Sequence, residues 1–224
     1  MDYNESRGRA GPTNWLRPEY DGLLQSDGYS VYSQFVKATH AVCWAHARRY
    51  FHDALDSATE RAEHVLTAIQ ELYGIERGLR EKKVSPAERA RVRKEKAAPI
   101  LANIKTYIEE NPGLPKSPWG KASSYALTRW DKLTRYVDEG RLEIDNNLTE
   151  NTIRPIALGR RNYLFSGSHA AARRAGIIYS LMATCKKHGV NPETWMADVL
   201  ERIPTHPAKR LEELLPYNWE NNKV

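Results

Sequence analysis

Two acids in this sequence stand where carboxylates can do chemistry on a phosphodiester. Asp27 follows the short apolar-leaning run Leu23-Leu24-Gln25-Ser26 and precedes Gly28. It therefore ends a predicted strand, the position at which open α/β sheets gather functional groups. Glu150 opens a predicted helix directly before a basic stretch. Breaking a phosphodiester in water needs a nucleophilic oxygen and a stabilised leaving oxygen, and divalent ions held by a few carboxylates supply both. Magnesium takes oxygen ligands and needs only one or two carboxylates per ion, water and phosphate filling the rest. Each acid also has an ordinary structural role. Asp-Gly is a common turn pair, and Asn147-x-x-Glu150 is a helix capping pattern with Arg154 one turn further on.

The charge distribution points the same way. The chain of 224 residues carries a formal charge of +6, which alone says little. Between Arg154 and His188, however, stand Arg154, Arg160, Arg161, Arg173, Arg174, Lys186 and Lys187 with no Asp or Glu among them. Such a run is either a solvated basic face or a surface for a polyanion, and nucleic acid is the obvious one. Arg48 and Arg49, nearer the N-terminus, could also reach phosphate. Hydrophobic residues make up 41%, enough for a real core. No apolar run approaches a membrane span, and the N-terminus lacks the apolar region of a secretory signal. Cys43 and Cys185 are too far apart in sequence to suggest a disulfide framework, so a reducing cytoplasm is expected.

The elements that must position these residues are mostly helical. Leu23–Ser26 reads as a strand, Tyr29 to Val36 as a short helix and Ala41–Trp44 as a second strand, a βαβ unit with parallel strands. Helical periodicity then runs for almost 100 residues. It covers His46 to Leu79, loosened at its far end by Gly74 and Gly78, and a helix from the Ser85-Pro86 start to about Glu110 whose first half is charged and exposed. Another helix is expected from about Lys121 to Glu139. A short helix from Asn147 should end by Pro155. A longer one capped by Ser168 ends at Gly189, and a last one spans Glu193 to Ile203.

Other residues were candidates for binding. Cys43, His46 and His52 lack the fourth ligand and the spacing of a closed zinc site. The tryptophans Trp44, Trp119, Trp130, Trp195 and Trp219 suit a core, although Trp119 or Trp130 could stack on an unpaired base. Tyr163 and Phe165, interleaved with Arg160, Arg161 and Gly167, suit a nucleic-acid backbone, with packing under the following helix the simpler role for Phe165.

The segments LLQSDGYSVY, CWAHARRYF, LEIDNNLTENTIRPIALGRRNYLFSGS, GIIYSLMATCKKHGVNP and HPAKRLEELLPYNW, in this order from about Tyr3 to Trp219, together resemble the IS66 family of transposases. The resemblance implies an α/β, mostly helical chain: an incomplete RNase H-like core with a large all-α insertion. Residues 1–50 would be part of that core, 51–140 the insertion, 141–203 the return to the core and 204–224 a closing segment. Asp27 matches the second acid of an Asp-Asp-Glu (DDE) triad and Glu150 the third, with Mg2+ or Mn2+ as cofactor and 122 residues between them. Implied partners are DNA, as insertion-sequence terminal inverted repeats and target, with further copies or companion proteins in a synaptic complex and no membrane, in the bacterial cytoplasm at the nucleoid. Where the family commonly has Arg after the Glu, this chain has Asn151. The first acid is expected on a strand ahead of this sequence; Asp2 and Asp21 do not match its position. That implies a truncated or frameshifted copy, with exposed apolar surface and marginal stability. The function expected is metal-dependent DNA cleavage and strand transfer; the alternatives are a non-catalytic DNA-binding remnant and an unfolded pseudogene product.

Overall fold

Helix α1 (Ala10–Trp15) precedes, in sequence, two four-residue parallel strands, β1 (Leu23–Ser26) and β2 (Thr39–Val42), with Leu23 opposite Thr39 and Ser26 opposite Val42. A 3-10 turn, Ser30–Gln34, joins the strands where a short helix was expected. The computed structural model describes residues 3–5, 8–163 and 165–219; Asp2 lies outside them. The chain divides into two compact units, residues 16–150, and residues 1–15 with 151–224. No described helix is long and apolar enough to cross a membrane.

In the unit of residues 16–150, β2 leads through Cys43 into α2 (Trp44–His52) and, after a break at residues 53–58, α3 (Thr59–Glu81). Helix α3 runs through Gly74 and Gly78 to Glu81, because its buried stripe Val65, Ile69, Leu72, Glu76 and Leu79 anchors both halves. Ser85 caps α4 (Pro86–Val92), accepting the Glu88 amide at 3.2 Å with proline at the first turn. A π-helical turn, Arg93–Ala97, joins it to α5 (Ala98–Glu110), so the long predicted helix forms with a bulge inside it. The helix expected from Lys121 to Glu139 breaks at Arg129 into α6 (Pro118–Thr128) and α7 (Trp130–Thr134), followed by the 3-10 turn Arg135–Val137.

The bulge corrects the reading of this segment's first half as exposed. Arg93 is fully buried, and its guanidinium donates to Glu76 at 2.8 and 2.7 Å and to the carbonyls of Tyr136 (2.7 Å), Glu139 (3.2 Å) and Leu142 (2.9 Å). Arg89 adds a bond to Glu76 at 3.1 Å and pairs with Glu143 at 2.8 Å, while Arg80 reaches Glu143 at 2.9 Å. The network pins residues 136–143, the stretch leading to Glu150, onto α3 and the bulge.

These acids predict a pH dependence. Burial raises the pKa of Glu143, but the hydrogen bonds from Arg89 and Arg80 outweigh it and hold the group below its ordinary value. The Arg141 guanidinium holds Glu139 down to about 2. Both fold with pKa values below those of the unfolded chain. Their contribution is therefore complete above the unfolded glutamate value near 4.3 and is lost as pH falls below it. Thermal melts should decline between about pH 4.5 and pH 2. Glu143→Gln together with Glu139→Gln should flatten that decline; an unchanged slope would contradict it.

In the other unit, α8 (Asn147–Tyr163), which begins in the unit just described, continues past Pro155 instead of ending before it. Proline removes its own amide bond and crowds the carbonyl four residues back, and helical sequence on both sides carries the chain through. Ser168 caps α9 (His169–Lys187), accepting the Ala171 amide at 3.1 Å, and Gly189 ends it at φ +72. Asn191 caps α10 (Pro192–Arg202). Cys185, Val190, Trp195 and Trp219 form the small core of this unit. Helix α8 buries no residue and exposes Leu148, Ile153 and Leu158; Phe165, Ile177 and Ile178 are exposed as well. Phe165 is 76% exposed, so it does not pack under the following helix as expected.

Candidate functional site

Asp27 sits one residue beyond β1, in a turn its own side chain builds. Its Oδ1 accepts the Tyr29 amide at 2.8 Å, Ser26 Oγ accepts the Gly28 amide at 3.2 Å, and Gly28 takes φ +87. The second carboxylate oxygen of Asp27 accepts no hydrogen bond among the described residues. From α6, the Tyr125 hydroxyl donates to the Asp27 carbonyl at 2.8 Å.

A few hydrogen bonds bring the Glu150 segment to the same end of the sheet. The Cys43 amide donates to the Ser26 carbonyl (3.0 Å) and the Trp44 amide to the Ile144 carbonyl (3.1 Å). Gln25 Nε2 donates to the Glu143 carbonyl at 2.7 Å, and the Asn146 amide to Cys43 Sγ at 3.4 Å. Residues 143–146 therefore run past the C-terminal ends of both strands. Asp145 is buried and starts the next helix, accepting the Asn147 amide at 3.1 Å and the Asn147 Nδ2 at 2.9 Å. The Glu150 amide then donates to the Asn146 carbonyl at 3.1 Å, in the first turn of α8.

Glu150 is held by a residue that sequence reasoning weighed only as a zinc ligand. His46, in the first turn of α2, places Nε2 3.3 Å from Glu150 Oε1. Its other ring nitrogen, Nδ1, is buried without a hydrogen-bond partner, as is Asn146 Oδ1. Asp27 and Glu150 thus lie at the same sheet end, and no hydrogen bond or ion pair joins them among the described residues.

Those donors decide what could bind. Asp27 is exposed and Glu150 keeps 42% of its side chain accessible, so both are hard oxygen donors within reach of water. Burial pushes the Cys43 thiol up, so no soft thiolate joins them at neutral pH. Burial, followed by the nearby Asp145, likewise pushes the Tyr73 hydroxyl well above its ordinary value. Among the described residues no three His, Cys, Asp or Glu side chains group to hold a metal ion, and His52 lies exposed at the far end of α2.

The basic candidates are all exposed: Arg48 and Arg49 on α2, and separately Arg154, Arg160 and Arg161 on α8 with Arg173, Arg174, Lys186 and Lys187 on α9. Trp119 is buried against Phe51 in the core, and Trp130 is half-buried, meeting Trp44 edge-on at 5.9 Å. Tyr163 is exposed, with its hydroxyl 3.4 Å from that of Tyr179.

Comparison with known proteins extends over the same residues. A family model described as "Transposase IS66 family" matches residues 1–174, and one described as "IS66 C-terminal element" matches residues 180–217. The uncharacterized protein y4qI of Sinorhizobium fredii (strain NBRC 101917 / NGR234) is 36% identical over 219 residues, covering 92% of this chain and 40% of that protein. The uncharacterized proteins y4hP and y4jD of the same strain are 34% and 31% identical, covering 90% and 99% of this chain and 40% and 46% of their own lengths. The chain spans less than half the length of these curated relatives. No solved structure matches it. The chain belongs to the IS66 transposase family.

Proposed function

We propose that this chain supplies two acids, Asp27 and Glu150, to the catalytic centre of a DDE-type transposase with an RNase H-like core, and that it acts in DNA cleavage and strand transfer at insertion-sequence ends. The observation that carries the reading is the position of both carboxylates at the C-terminal end of the β1–β2 pair. One stands in the turn directly after β1, the other on a helix tied there through His46. Family membership supports it independently.

Asp27 and Glu150 would hold Mg2+ or Mn2+. Such an ion, when bound, supplies charge neutralisation at the phosphate and activation of the attacking oxygen. The chain's own part is to keep the two acids on rigid elements and to present cations to the DNA backbone. Arg48, Arg49, Arg154, Arg160, Arg161, Arg173, Arg174, Lys186 and Lys187 would contact phosphates, giving affinity without sequence readout.

Two measurements test this. Raising salt from about 50 to about 200 mM should weaken DNA binding on the order of 10^3-fold if most of these cations contact phosphate. Plasmid DNA should be nicked in Mn2+ or Mg2+, and Asp27→Ala or Glu150→Ala should abolish the nicking while leaving DNA binding in place. Salt-sensitive binding with no nicking in either metal would leave the non-catalytic DNA-binding module as the reading.

A further inference from the structure

Beside the acids stands a surface stack that neither acid requires. Tyr50 and Tyr125 lie face to face with ring centroids 4.4 Å apart and planes 25° apart. The Arg129 guanidinium lies 4.4 Å from the Tyr125 centroid. A ring and a guanidinium cannot share one face of Tyr125 at that distance, so they cover its two faces in the order Arg129, Tyr125, Tyr50. The outer face of Tyr50 ends the stack, and Tyr50 is 41% exposed.

The stack is tied to both carboxylates. Its middle member donates its hydroxyl to the Asp27 carbonyl at 2.8 Å, and Arg129 packs on Gly28, where an added Cβ would meet Arg129 Nε at 3.0 Å. Its outer member lies four residues beyond His46 on α2, on the same helix face as the partner of Glu150. Arg48 and Arg49 stand exposed on that helix. An exposed ring ending a stack, two exposed arginines on the same helix, and a link at each end to one of the two acids, through the Asp27 carbonyl and through His46, match one ligand chemistry. That ligand is a flat π-system carrying phosphate, namely a nucleotide whose base is not paired.

We infer that Tyr50, stacked on Tyr125 and backed by Arg129, is a platform for an unpaired base of the DNA strand held at Asp27 and Glu150; the inference rests on the DNA-processing reading above. Arg129 fixes the ring of Tyr125, Tyr125 fixes that of Tyr50, and the base completes the stack. Because every base has a π-face, the platform tolerates sequence. It selects for a strand that is locally open.

The test is fluorescence anisotropy of the full chain with three labelled probes: a single-stranded oligonucleotide, an abasic oligonucleotide of the same length and a duplex. Tyr50→Ala should weaken binding of the single strand about ten-fold, the size of one lost base–aromatic stack, and leave the abasic and duplex probes unchanged. Tyr50→Phe should restore the single-strand affinity. Arg129→Gln should move it in the same direction as Tyr50→Ala, and melts should show every variant folded. A 2-aminopurine base in the single strand should be quenched by the wild type and not by Tyr50→Ala. If the wild type binds all three probes and Tyr50→Ala binds them equally well, the platform is refuted and the DNA reading stands. If the wild type binds none of them, the DNA reading falls, and the platform with it.

Discussion

Replacing Glu76 with alanine is expected to cost about 3–5 kcal/mol of unfolding free energy, because it leaves the buried Arg93 charge without its counter-ion. Arg93 and Glu76 are both fully buried and joined by two hydrogen bonds, so the stranded guanidinium has no route to water short of opening the bulge. Replacing both partners with apolar residues, Glu76→Leu with Arg93→Met, should cost far less than either single change, since no charge is left unpaired. Arg91→Ala, which removes exposed pairs to Glu88 and Glu95, should change little. Urea denaturation of these variants measures this. A Glu76→Ala protein as stable as the wild type would mean that the network is not closed as described. Because Arg93 also holds the carbonyls of Tyr136, Glu139 and Leu142, the same substitution should loosen the segment that carries Glu150 to the sheet.

Trp44→Ala should be comparably damaging, about 3–5 kcal/mol for a large buried aromatic. Trp44 is fully buried, donates Nε1 to the Leu133 carbonyl at 2.8 Å and meets Trp130 edge-on. The substitution empties the centre of the main core and leaves that carbonyl unpaired, a further penalty of about 1–3 kcal/mol unless water enters. Trp44→Phe should recover much of the packing but not the hydrogen bond. Equal stability of Trp44→Phe and wild type would show that the bond to Leu133 contributes nothing.

The sequence conveyed the elements better than their joints. β1, the parallel pairing and the Ser85, Ser168 and Asn191 starts were legible because turn and cap residues mark them locally. The π-bulge at Arg93 was not. A charged run reads as a solvated face, and only Glu76, 17 positions back, together with three distant carbonyls makes burial of that arginine affordable. The passage of α8 through Pro155 was hidden in the same way, since proline reads as a stop unless both flanks hold the helix. At the site, Asp27 and Glu150 stood out by residue type and position. Their meeting at one sheet end depends on bonds across more than 100 residues, such as Gln25 to Glu143. His46 and the Tyr50–Tyr125–Arg129 stack carry no local signal; of the two tryptophans that looked better placed to stack, Trp119 is buried in the core and Trp130 half-buried against it.

The most direct test of the account is a calorimetric Mn2+ titration of the chain beside Asp27→Asn and Glu150→Gln, which keep side-chain shape and remove charge. The wild type should bind saturably and each variant about ten-fold or more weakly, the loss of roughly 1.4 kcal/mol per ligand, with unchanged thermal melts in the absence of metal. Equal Mn2+ binding by all three proteins, or none by the wild type, would contradict it.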